Sequence, residues 1–170
     1  MKRQLVKAMG CLILCVVLGA PLFAAGYISS NDLDPGTLSS SATYDDGFVI
    51  KATNEKKVSI EAVAEGRKAA DGEVFNTRIK LGGSGSKDFR SVSFPAARGE
   101  KAVVYLNSSS KSDARILVVA DAQGTVVASL TAPPDADGTA GIATCLLPAA
   151  GTYTVYSKSG GINIYQIIVE

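Results

Sequence analysis

The sequence predicts an all-β protein, a two-sheet antiparallel β-sandwich wired as a jelly roll. Three observations carry that expectation. Beyond residue 47 the chain breaks into short runs in which apolar and polar side chains alternate, the period of a strand with one face buried. Turn-forming pairs separate the runs: Asp71-Gly72, Gly82-Gly83, Arg98-Gly99, Gln123-Gly124, Asp137-Gly138, Ala150-Gly151 and Gly160-Gly161. No stretch of this region holds the 3.6-residue apolar period of a long amphipathic helix.

Ten strands are expected in order: 48–52, 58–62, 75–81, 89–94, 102–107, 115–120, 125–130, 142–147, 152–157 and 162–169. Ten strands at this spacing are enough for two packed sheets, and a domain of this length buries one core without disulfides. In 75–81, Phe75, Thr77, Ile79 and Leu81 share one face, and Asn76, Arg78 and Lys80 the other. In 89–94, Arg90 shares its face with Val92 and Phe94, which predicts a partly buried, structural arginine.

The ends read differently. Lys2, Arg3 and Lys7 precede an apolar run over 8–18, followed by Pro21 and the small residues Ala24 and Ala25. This is the layout of a secretory signal with cleavage after Ala24 or Ala25, and the apolar run is shorter than the roughly 20 residues of a spanning helix. Residues 1–24 are read as the signal and the protein as secreted, periplasmic or held in the cell envelope. Cys15 falls in the middle of the apolar run, which argues against a lipid anchor. The one cysteine left after cleavage, Cys145, lies in the apolar run Ala-Thr-Cys-Leu-Leu and reads as a small buried hydrophobe. Residues 25–46 hold four acidic and no basic residues, are rich in Ser and Gly, and lack sustained periodicity. They are expected to be a linker or loosely attached arm. The sandwich itself is placed at 47–170.

Charge and composition narrow the function. The chain has 17 basic and 16 acidic residues; loss of the signal leaves 14 against 16. Between 76 and 115, however, eight basic residues face three acidic ones, and they recur at strand ends beside Gly and Ser. A local positive region on a near-neutral protein points to a specific anionic partner rather than to nucleic acid. The chain has no His, so a Ser-His-Asp triad, imidazole acid–base chemistry and His ligation of metals are excluded. It has no Trp, the largest platform for neutral sugars, and offers Tyr44, Tyr105, Tyr153, Tyr156 and Tyr165 instead. Asp135-Ala136-Asp137-Gly138 opens like a calcium loop but lacks its remaining ligand positions and reads as a plain turn. No cofactor is expected, with a structural calcium assembled from distant loops left open.

Six motifs, taken in order, resemble a known family. They are RIKLGGSG over 78–85, RSVSF over 90–94, the serine run 108–110 followed by Arg115, VADAQGTVV over 119–127, PAAGTYTVYS over 148–157 and GINIYQIIV over 161–169. Together they resemble the β-sandwich domain appended to bacterial pectate lyases, which is similar to pectin-binding carbohydrate-binding modules. The resemblance spans 47–170 and implies a non-catalytic module that holds de-esterified pectin, a polymer of galacturonate. The 22 residues over 25–46 are too few for a lyase domain, so a free-standing module is expected, with a pectinolytic enzyme acting in trans as a partner.

A carboxylate on every ring suits Lys as a mobile point charge and Arg as a bidentate fork. Lys80 leads the expected contacts, on the polar face of its strand and next to the flexible Gly82–Gly85 turn. Lys87, Lys111, Arg115 and Lys158 follow, each in or beside a Ser- or Gly-rich loop, with Asn163 and Tyr165 as a hydrogen-bonding and a stacking group on one strand face. Two other readings stand beside this one. The first is a structural or adhesive envelope sandwich that makes protein contacts through edge strands. The second is a lyase that uses Lys or Arg as base, with calcium on the uronate.

Overall fold

A computed structural model describes residues 25–170; the expected signal at 1–24, Cys15 included, lies outside the described residues. All ten expected strands are present, as β4 (Val49–Lys51), β5 (Val58–Ala69), β6 (Val74–Leu81), β7 (Ser91–Ala96), β8 (Lys101–Ser108), β9 (Arg115–Ala120), β10 (Val126–Ala132), β11 (Thr139–Leu146), β12 (Gly151–Ser157) and β13 (Ile162–Val169). Three short strands precede them: β1 (Gly26–Ser29), β2 (Gly36–Leu38) and β3 (Ala42–Thr43).

The strands form two sheets. The second runs β10-β9-β12-β7-β4-β3. In the first, β13 is central, with β8 and then β11 on one side. On its other side β6 pairs with Ile162–Ile164, and β1 takes over along Gln166–Val169. From β6 onward the chain passes from sheet to sheet at almost every step, as in a jelly roll. Ile50, Val92, Phe94, Leu117, Val119 and Val155 of the second sheet meet Ile79, Leu81, Val104, Leu106, Ile162 and Ile164 of the first in the principal core. Phe48, Phe94 and Tyr153 stack through it, with ring centroids 5.5 and 6.4 Å apart.

Where β6 leaves β13, the β5–β6 hairpin crosses the outer face of the first sheet. Its far end, Lys68–Ala69, pairs in parallel with Thr139–Ala140 of β11, closing a ring of strands. The crossing requires a bulge, supplied by Glu65 and Gly66 at φ 63° and 69°. Under the hairpin lies a second core of Val63, Ala69, Phe75, Tyr105, Ala140 and Tyr165. The ion pair of Arg67 with Asp135, 2.8 Å, ties the hairpin to the segment before β11. The Asp135 carboxylate is thus taken up by an arginine, which fits the reading of 135–138 as a turn.

The expectation of a linker or arm over 25–46 is corrected. Gly26–Ser29 pairs with Gln166–Val169, Gly36–Leu38 with Val58–Ile60, and Ala42–Thr43 with Val49–Ile50, so the segment edges both sheets. Ile28 enters the principal core, and Leu33, Leu38 and Tyr44 pack against it. Asn31 spans the turn between, donating to the Val74 carbonyl at 2.9 Å and accepting from the Asn76 amide at 2.8 Å. Paired runs of two to four residues are too short to show a period, which is why composition alone reads as a linker.

Candidate functional site

The basic motifs, scattered over eighty residues of sequence, meet at one end of the sandwich. The ends of β6, β8 and β12 and the starts of β7, β9 and β13 all lie there. The Gly82–Gly85 turn folds back onto β12: the Gly85 amide donates to the Ser157 carbonyl at 3.0 Å. A Cβ at Gly85 would run into the Arg90 carbonyl oxygen and the Tyr156 side chain, so only glycine allows this approach. The Ser109 amide and hydroxyl both donate to the Gly161 carbonyl, each at 3.0 Å. Arg115 spans the same two loops, donating to Ser109 Oγ at 2.8 Å and to the Gly161 carbonyl. Lys51 Nζ donates to the Lys87 carbonyl at 2.8 Å, joining the loop 82–90 to the end of β4.

The candidate cations fall into three groups. Lys111 and Lys158 are exposed, and their ammonium groups have neither a carboxylate nor a hydrogen-bond partner among the described residues. Arg115 and Arg90 also lack a carboxylate but are partly buried and bonded to neutral groups, Arg90 reaching the Lys57 carbonyl at 3.4 Å. The partly buried arginine expected at 90 is thus present. Lys80 and Lys87 are paired. Lys87 meets Asp88 at 3.0 Å, and Lys80 shares the Glu61 carboxylate, at 3.1 Å, with Arg78 at 2.7 Å. Burial opposes the ionisation of Glu61, yet these two cations outweigh it and hold its carboxyl below the usual range. The leading expected contact therefore has its charge half answered within the protein.

Asn163 and Tyr165 are corrections. Both are fully buried, so neither presents a surface to a polymer. Tyr165 lies in the second core, its ring stacked on Phe75 at 5.4 Å, and burial pushes its hydroxyl pKa up to about 12. Among the described residues neither amide atom of Asn163 has a partner, nor do the Tyr165 hydroxyl and Asn107 Oδ1. Asn163 and Asn107 are register partners on β13 and β8, and the charges of Arg67 and Asp135 act on the Tyr165 hydroxyl. The motif GINIY signals a central strand covered on both faces, because the β5–β6 hairpin lies across it.

Two lysines of this end escaped the sequence reading. Lys56 and Lys57 sit in the β4–β5 loop, exposed and without a carboxylate partner among the described residues, with Lys56 Nζ 5.9 Å from the Phe89 ring centroid. Their signal was the pair itself, which lies between two expected strands and outside the basic stretch 76–115. Among the described residues no group of three or more His, Cys, Asp or Glu side chains is placed to hold a metal ion, and no helix is long and apolar enough to cross a membrane.

No family model matches the chain, and no curated protein matches it. Solved structures do. CsCBM6-3 of Clostridium stercorarium, in complex with cellobiose, aligns over 85% of this chain and 92% of its own at 12% identity, with a TM-score of 0.47. The family 35 carbohydrate-binding module of Clostridium thermocellum covers 81% and 98% at 14% identity, TM-score 0.44. CBM35 of Paenibacillus barcinonensis covers 85% and 98% at 16% identity, TM-score 0.43. Structures similar to this one include carbohydrate-binding modules of families 6 and 35.

Proposed function

We propose that this protein is an exported, non-catalytic module that holds an anionic polysaccharide, de-esterified pectin first among them, at its basic end. The observation that carries this reading is the gathering of Lys56, Lys57, Arg90, Lys111, Arg115 and Lys158 at one end without a carboxylate partner among the described residues. Lys111 and Lys158 are the free contacts; Arg115 adds charge while it fastens the loops. Lys80 and Lys87 contribute less, since each already faces a carboxylate. A uronate polymer presents a regular row of carboxylates to such an array, and each exposed contact is worth about 0.2–1 kcal/mol. Several engaged together multiply in affinity, and salt weakens them. A pectinolytic enzyme working on the same polymer is the partner this role implies.

The test is binding of the exported protein to polygalacturonate, highly methyl-esterified pectin, alginate and a neutral glucan at low and moderate salt. Selective, salt-sensitive retention by polygalacturonate is expected, and Lys111→Ala with Lys158→Ala together should weaken it by roughly two- to thirtyfold, the product of two exposed contacts. Equal binding to esterified pectin, or an unchanged affinity in the double variant, overturns the reading.

A second reading has its own observation. Among the described residues, 142–146 of β11 have no strand partner on one edge, and Ile142 and Leu146 on it are 40% and 61% exposed. An apolar strand edge of this kind suits a protein contact within the envelope. Self-association that Leu146→Lys abolishes, with indifference to pectin, would favour it.

A further inference from the structure

A cleft of about 590 Å³ lies between β1, at the edge of the first sheet, and β3, at the edge of the second. All of its lining comes from 27–46, the segment that edges both sheets. Tyr27 and Tyr44 supply two aromatic rings, Ile28 and Leu33 apolar surface, and Asp32, Asp45 and Asp46 its charge; no Lys or Arg among the described residues lines it. Tyr44 packs against the principal core, which holds its ring in place, whereas Tyr27 is 52% exposed.

Two of the three carboxylates are uncommitted. The Asp32 and Asp45 carboxylates have no hydrogen bond or ion pair among the described residues, while Asp46 accepts from the Tyr27 amide at 3.3 Å. Ser29 is more than nine-tenths buried and lines the cleft. Its Oγ accepts from the Asn31 amide at 3.3 Å, and its own proton goes to no acceptor among the described residues. The three aspartates are not gathered tightly enough to cage a metal ion. They are spread around a volume within the usual range of small-molecule sites.

Carboxylates around a cavity favour a cation and repel a uronate. Tyrosine faces attract cations and stack on sugar rings. A lysine side chain of a peptide would fill only a narrow part of the space and leave the Ser29 and Thr43 hydroxyls unused. We infer that this cleft binds a cationic amino sugar, with its ammonium group at Asp32 and Asp45 and a ring face against Tyr27 or Tyr44. The site is separate from the basic end, so it stands or falls independently of the pectin reading.

The test titrates the exported protein with the glucosamine trisaccharide, its N-acetylated counterpart, galacturonate trisaccharide and a lysine tripeptide, followed by calorimetry. Saturable binding of the glucosamine trisaccharide is expected. Asp32→Asn and Asp45→Asn should each weaken it by roughly two- to fivefold, the range of an exposed charge contact. Neither should move the melting temperature, since neither carboxylate bonds to the protein, and Lys111→Ala should leave this binding unchanged. Absence of glucosamine binding overturns the inference. Equal binding of the N-acetylated sugar removes the role of charge, and tighter binding of the lysine peptide removes the sugar; either result also overturns it.

Discussion

The basic end and the acidic cleft are built in opposite ways. At the basic end, glycine and serine loops bond to one another's backbone, and Arg115 and Arg90 tie them from within, so most of the polar capacity is spent on holding the loops. Donor capacity is left over on the exposed lysines, Lys56, Lys57, Lys111 and Lys158. In the cleft, short strand ladders hold the backbone and leave the side chains of Asp32 and Asp45 uncommitted. Recognition at the basic end should therefore be additive and salt-sensitive, spread over many weak contacts. Recognition in the cleft should depend on a few fixed groups around a preformed space.

If the cleft wall is part of the folded unit, Ile28→Ala, at a side chain 4% exposed in the principal core, should cost about 2–5 kcal/mol by denaturant unfolding. A loss within about 0.5 kcal/mol, as for a surface site, would mean that the segment is an arm after all. At the other end, Arg115→Ala should cost about 1–2 kcal/mol, because Ser109 and the Gly161 carbonyl lose a charged donor at a half-open site. Arg115→Lys keeps the charge but not the fork. Stability lost with polygalacturonate affinity kept in Arg115→Lys would assign the guanidinium to loop fastening. The smallest effect sharpens the position of Lys80. Glu61→Gln releases Lys80 and Arg78 from their shared carboxylate, and the polymer should then bind tighter by about 0.2–1 kcal/mol. No change would place Lys80 outside the contact surface.

How legible the molecule was depends on what kind of signal each region carries. The long strands announced themselves, since β6 and β12 alternate and residues 116–120 of β9 are apolar throughout, each set off by turn-forming residues. Among the turn pairs Gly72, Gly99, Gly124, Gly138 and Gly160 all adopt positive φ, the conformation that makes a glycine worth placing. The basic end was half legible. Residue type and neighbourhood picked out Lys87, Lys111, Arg115 and Lys158 from separate loops, but not that Glu61 pairs with Lys80 or that Lys56 and Lys57 join the same end. The candidates Asn163 and Tyr165 failed because alternation describes one sheet face at a time. A hairpin crossing the other face buries what alternation leaves outside.

By itself the sequence determined the two-sheet class, the order of its ten main strands and an excess of positive charge at their ends. Those follow from local periodicity and from turn chemistry, which act over a few residues. Only the tertiary structure decided which charges are answered, that the β5–β6 hairpin closes a second core, and that the acidic segment 25–46 frames a cleft. Each of these depends on partners tens of residues away in sequence, and their pairing is set by packing and register rather than by composition.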